Sequence, residues 1–230
     1  MIEMVRRFLR QKSRSGGTLV LLGLLAGMSG LSIVVSGGPG GPGGGGYIAL
    51  LVLAAASVSK DASSGALQMI LARPIRRTDY LFGRYLGIVV AFAAFSVACV
   101  ALGLLTRTLW GPRGPVAPLE LLGSIGFATL WAAQMAAVLV FFSTFLPGYG
   151  DVVALLLLQI FVSLRTNVQW MVKTSQAIGR DLLPSVAWEG VFRGNPDALA
   201  AAGRAVLAAS LFLTAAAVVF SRREFAYGRD

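Results

Sequence analysis

Residues able to do covalent chemistry are few in this chain and poorly placed for it. There is no histidine, so neither a Ser-His nucleophile pair nor a histidine metal site can be built. The carboxylates stand at the ends of apolar segments, where capping or solvation explains them better than acid-base work. Cys99, the single cysteine, lies inside an apolar run and reads as a packing residue. The glycines of Ser36 to Gly46, SGGPGGPGGGG, are not followed by the Gly-Lys-Ser/Thr of a phosphate-binding loop. The chain is therefore not expected to hydrolyse ATP itself or to be an enzyme, and it offers no candidate metal or cofactor ligands.

Polar residues inside apolar runs are the next candidates. Gln134, Gln159, Ser96, Thr129 and Ser163, with Ser143 and Thr144 beside them, could line a substrate path through a membrane. The competing reading, which we favour, is hydrogen bonding between helices brought close by small residues such as Gly23, Ala26, Gly27 and Gly30.

The most informative stretch is Ser59 to Gly87, SKDASSGALQMILARPIRRTDYLFGRYLG, which lies between two apolar runs. It holds Lys60, Arg73, Arg76, Arg77 and Arg84 beside Asp61 and Asp79. Leu67, Ile70 and Leu71 fall at i, i+3 and i+4, one face of a short helix. Pro74 stops that helix, and Thr78 or Asp79 can cap a new one. Tyr80, Arg84 and Tyr85 suit the level at which a spanning helix enters the headgroups. A solvated loop with a surface helix and a helix that docks on a partner both fit this spacing.

Composition then sets the surroundings. The 230 residues are 56% apolar and only 13% charged, and mean hydropathy is +0.75. Soluble domains carry about a quarter charged residues, so this chain belongs in a bilayer. The net charge of +10 flanks apolar runs instead of forming the exposed patch a nucleic-acid binder needs, and no nucleic acid is expected as a partner. The pattern predicts an all-α fold, a polytopic membrane protein with six transmembrane helices in a single domain, at about 18–35, 47–59, 85–106, 119–146, 152–164 and 198–220. Val5, Phe8 and Leu9 among Arg6, Arg7, Arg10, Lys12 and Arg14 predict an amphipathic N-terminal helix on an anionic membrane surface, so lipid is an expected partner. Ser36 to Gly46 is expected to hold no helix, because glycine and proline disfavour one.

The second span is short: its thirteen residues rise about 20 Å against a hydrocarbon core of roughly 30 Å. Charge supports it. Thirteen of the twenty basic residues lie in the N-terminal, Lys60 to Arg84 and C-terminal segments, against six in the other connections. Placing the richer set in the cytoplasm requires the short run to cross. Both termini and 60–84 are then cytoplasmic, and 165–196 is extracytoplasmic. Asp151 is expected to cap the fifth span, and Arg204, inside the sixth, to reach the outer headgroups or pair with Asp197 or Glu189.

One resemblance adds to this layout. Asp61, Ser64-Gly65-Ala66-Leu67, Leu71-Ala72-Arg73-Pro74, Arg77, Tyr80-Leu81 and Gly83-Arg84-Tyr85-Leu86-Gly87 resemble the cytoplasmic loop between the second and third spans of type-two ABC permeases. The ending Phe220-Ser221-Arg222-Arg223-Glu224-Phe225 is similar to that family's close. The resemblance implies that 60–84 carries a coupling helix docking on a separate ABC ATPase subunit, with Asp61, Leu67, Gln68, Ile70, Leu71, Arg73, Pro74, Arg76 and Arg77 at the contact. ATP and Mg would then be bound by the partner ATPase. It further implies an ATP-driven exporter of a bacterial or archaeal cytoplasmic membrane, working with a second permease copy or a related permease. Two alternatives stay open: a mechanical relay acting on an extracytoplasmic protein, and an ATP-independent channel or membrane scaffold.

The topology is directly testable. With single cysteines at Ser13, Ser36, Ser63 and Ser175 in a Cys99→Ala background, an impermeant thiol reagent added to intact cells is expected to label positions 36 and 175 only. Labelling at position 63 from outside overturns the orientation.

Overall fold

The computed structural model describes residues 2–13, 16–36, 43–55, 61, 76–110, 118–146, 149–163, 173–174, 176–177, 191 and 195–222. Among them there is no strand. The helices run α1 (Ile2–Ser13), α2 (Gly16–Ser36), α3 (Gly43–Ala54), α4 (Arg77–Trp110), α5 (Pro118–Ser143), α6 (Gly150–Ser163) and α7 (Pro196–Arg222). Leu67 to Pro74, the centre of the expected coupling helix, and most of 165–196 lie outside the described residues.

Among the described residues, three helices are long and apolar enough to cross a membrane, with the qualifying stretches Arg77–Leu109, Leu122–Ser143 and Pro196–Arg222. Their outer faces show why water is the wrong solvent. Val90, Val97, Leu104 and Leu105 on α4 are exposed, as are Val206, Leu207, Leu211 and Val218 on α7, and Val153, Leu156, Leu157 and Ile160 on α6. Each such side chain left in water forgoes roughly 1.5–3 kcal/mol of transfer free energy, so the sum over these faces is on the order of tens of kcal/mol. Lipid removes that penalty.

Helix α4 is the centre of the packing and touches α1, α2, α3, α5 and α7. Its 34 residues rise about 51 Å, well beyond a hydrocarbon core of roughly 30 Å. The surplus places Arg77 to Arg84, about two turns, outside the apolar stretch. The helix thus starts at Arg77 and not at Tyr85, where the apolar run alone begins. Inside the bundle, Phe92 meets Trp131 of α5 at 6.1 Å, and Trp131 meets Tyr47 of α3 at 5.9 Å. Lower on α5, Phe141 meets Phe212 of α7 at 5.6 Å.

Two expectations about glycine are corrected. Helix α2 runs through Ser36 and α3 begins at Gly43, so part of SGGPGGPGGGG is helical after all. Glycine costs about 1 kcal/mol against alanine in a helix, a preference that tertiary packing overrides, and Tyr47, Ala49 and Leu50 of the same helix pack in the core. Second, Gly23 and Gly27 of α2 have nothing within 4 Å of where a Cβ would stand. Close approach is made instead by alanines: Ala128, Ala132 and Ala136 on α5, and Ala198, Ala201, Ala205, Ala209 and Ala216 on α7, all buried. Leu130 packs onto Ala201 and Ala205.

The shorter helices are α3, whose 12 residues rise about 18 Å, and α6, whose 14 rise about 21 Å. Before α6, Thr144 to Leu146 form a turn closed by the Phe145 N–H donating to Phe142 O at 3.2 Å. Asp151 sits fully buried in the first turn of α6, where its Oδ1 accepts the Val152 N–H at 2.9 Å. A carboxylate there also faces the positive end of the helix dipole. Arg204 is exposed on α7.

The alanine seam and the open glycine face predict opposite responses to added bulk. Ala205→Leu is expected to lower stability by about 1–3 kcal/mol through overpacking. Gly23→Ala is expected to be neutral or to stabilise α2 by up to about 1 kcal/mol. Thermal melting of the purified protein in one detergent compares the two directly.

Candidate functional site

The two turns of α4 beyond its apolar stretch carry Tyr80 and Arg84 on one face, at i and i+4. Asp61 lies against both. Its Oδ2 accepts the Tyr80 hydroxyl at 2.7 Å and a guanidinium N–H from Arg84 Nη2. The pair is nearly dry, with side-chain exposures of 11% for Arg84 and 9% for Asp61. Burying two charges costs several kcal/mol per ion, which the pairing offsets only if the remaining contacts are good. Here they are supplied by aromatic faces: the Arg84 guanidinium lies 5.4 Å from the Phe8 ring and 5.6 Å from the Tyr80 ring.

Phe8 reaches this place because α4 has a notch for it. A Cβ on Gly87 would stand 2.7 Å from Phe8 Cδ1 and 3.2 Å from Phe8 Cβ, so a side chain there would push α1 away. Phe8 is buried, and Leu9 packs against the same core. The apolar face of α1 is thus seated on protein. On its other side the Tyr80 ring stacks on Phe220 near the end of α7, at 5.9 Å and 18°.

Two more cations close helix ends around the cluster. Lys12 Nζ donates to Val52 O at 3.0 Å, satisfying one of the last carbonyls of α3. Arg77 Nη1 donates to Ser221 O at 3.2 Å, doing the same for α7. Both place positive charge at the negative end of a helix dipole. The outcome is one joint in which α1, the end of α3, Asp61, the start of α4 and the end of α7 meet at the same end of the bundle.

Of the residues expected at an ATPase contact, Asp61 is at the heart of this joint and Arg77 at its edge. Arg76 is exposed just before α4. Leu67, Gln68, Ile70, Leu71, Arg73 and Pro74 lie outside the described residues, within the segment that Asp61 and Arg76 bracket. Ser96 on α4 donates to Phe92 O at 3.0 Å, and Thr129 on α5 donates to Ile125 O at 2.8 Å, each within its own helix and not across to another. Gln134 is buried on α5, Gln159 is half-buried on α6, and Ser163 ends α6 with its side chain outside the described residues. Phe8, Lys12, Phe220 and the pairing of Tyr80 and Arg84 with Asp61 were not foreseen. Gly87, one turn beyond Arg84 in an apolar helix, was the available signal of a close approach.

Among the described residues no group of three acidic, histidine or cysteine side chains could hold a metal. The joint consists of matched charges, rings and capped helix ends, an arrangement that holds elements together. A family model described as "Protein of unknown function (DUF2705)" matches residues 46–226, which include Asp61, Tyr80, Arg84 and Phe220. No curated protein and no solved structure matches the chain.

The ion pair predicts its own mutational signature. Asp61→Ala leaves a nearly buried guanidinium unpaired and is expected to cost about 3 kcal/mol of stability. Adding Arg84→Leu is expected to recover much of that loss, since an apolar replacement of both partners is often tolerated. A double-mutant cycle by thermal or denaturant unfolding in detergent measures the coupling.

Proposed function

Because the chain belongs to the DUF2705 family, whose description assigns no activity, we propose its function from the joint itself: a six-span permease subunit whose 60–84 loop couples it to a separate ABC ATPase. The spans beyond α4, α5 and α7 are α2, α3 and α6, with α1 as a surface helix on the cytoplasmic side. The subunit works with a second copy or a related permease, and the resemblance of its loop to type-two ABC permeases favours export as the direction of transport. ATP and Mg act on the partner.

The observation that supports this reading is how the loop is fastened. Asp61 and Arg76 bracket the segment that carries Leu67, Ile70 and Leu71. Asp61 is bonded to Tyr80 and Arg84 on the far side of that segment, so both loop ends bear on the first turns of α4. A push on the loop passes to α4 through the ion pair and to α7 through the Tyr80–Phe220 stack and the Arg77–Ser221 bond. A loop serving only as a linker has no need of such bracing. The same bracing serves a mechanical relay acting on an extracytoplasmic protein, whereas an ATP-independent channel would not require it.

The deciding variants are in the loop. Ile70→Asp and Leu71→Asp are expected to leave the protein inserted and folded while weakening ATPase recovery about tenfold or more, the loss of one apolar contact worth roughly 1.5–3 kcal/mol. Gln68→Glu, which lies off that apolar face, is expected to do much less. Complex recovery and ATP turnover are measured in membranes of matched expression. Equal coupling in Ile70→Asp, Leu71→Asp and wild type, or native purification that yields no ATPase with any of them, removes the basis for the proposal.

A further inference from the structure

Helix α1 has two faces of different chemistry. Val5, Phe8, Leu9 and Lys12 are spaced i, i+3, i+4 and i+7 and turn inward, with Phe8 in the Gly87 notch and Lys12 on the α3 terminus. Glu3, Arg6, Arg7 and Arg10 repeat the same spacing on the opposite side, and all four are exposed. Among the described side chains the outward face is therefore net cationic, with no large apolar residue.

Three independent markers fix the depth of that face. On α4 the first exposed large apolar side chain is Val90, three residues and about 4.5 Å past Gly87. On α7 the last is Val218, three residues before the Ser221 carbonyl that Arg77 holds. On α2, Leu19 is exposed within the first turn after α1 ends. Lipid-facing side chains stop at the level where α1 is fastened, which is the level of the headgroups.

We infer that the outward face of α1 is a docking surface for anionic phospholipid headgroups. It binds by charge alone, because the apolar side that would otherwise insert is already seated on α4. This distinguishes it from an amphipathic helix that dips into the acyl region, whose binding scales with buried apolar area. An acidic protein surface has the right charge but lies in the aqueous phase, whereas Arg6 and Arg7 stand where headgroups are. The inference needs the membrane-spanning character of α4 and α7 and does not depend on coupling to an ATPase.

The test uses the full chain with Ser13→Cys in a Cys99→Ala background, labelled with a fluorophore and reconstituted into phosphatidylcholine vesicles. These contain a trace of either phosphatidylglycerol or phosphatidylcholine carrying a headgroup quencher. A basic side chain at an anionic surface contributes about 1 kcal/mol, or about a fivefold preference. Wild type is expected to be quenched preferentially by the phosphatidylglycerol probe, with the preference falling as salt is raised. Arg6→Gln/Arg7→Gln is expected to reduce the preference by about an order of magnitude, while Arg6→Lys/Arg7→Lys and Arg204→Gln retain it. Equal quenching by the two probes in wild type, or an undiminished preference in the glutamine variant, overturns the inference. So does loss of preference in the lysine variant, which would assign the effect to packing, and so does release of a copurifying protein by the glutamine variant with lipid preference intact. Failure of the wild type to float with vesicles would instead overturn the membrane reading.

Discussion

Everything at one end of this bundle depends on a single guanidinium. Arg84 is paired with Asp61, bonded alongside the Tyr80 hydroxyl and placed between the rings of Phe8 and Tyr80. A nearly dry cation is tolerable only while its partners stay in place, so the ion pair and the docking of α1 are conditions for each other. Tyr80 extends the dependence to α7 through Phe220. Four parts of the chain far apart in sequence are held by groups that would each be costly alone.

The bilayer imposes a division of labour on the basic residues. A simple count of charges distinguishes one side of the membrane from the other and treats all cations alike. Their environments separate them into two kinds. Lys12, Arg77 and Arg84 are structural, ending helices or neutralising a carboxylate. Arg6, Arg7, Arg76 and Arg222 are exposed. Replacing a residue of the first kind disturbs packing, whereas the second kind acts on whatever lies outside.

The long helices α4, α5 and α7 were legible because extended apolar runs leave no alternative in a membrane. The start of α4 close to Thr78 and Asp79 was legible from Pro74 and the capping residues. Asp61, Tyr80 and Arg84 could each be singled out, but not joined, because a contact across nineteen or more positions leaves no periodic trace. The seat of Phe8 was not legible for a related reason: helical spacing identifies an apolar face without saying whether lipid or protein covers it. The helical start of α3 at Gly43 was hidden because glycine propensity is a local preference that tertiary packing overrides.

The shortness of α3 has a consequence for how it is held. Its 12 residues rise about 18 Å against a hydrocarbon core of roughly 30 Å, and it is not among the three described helices long and apolar enough to cross a membrane. Ala49, Leu50, Leu53 and Ala54 are all buried, so along most of its length α3 meets protein and not lipid. Its register is set by that packing and by Lys12 on the Val52 carbonyl, which makes the helix an internal wedge whose position follows its neighbours.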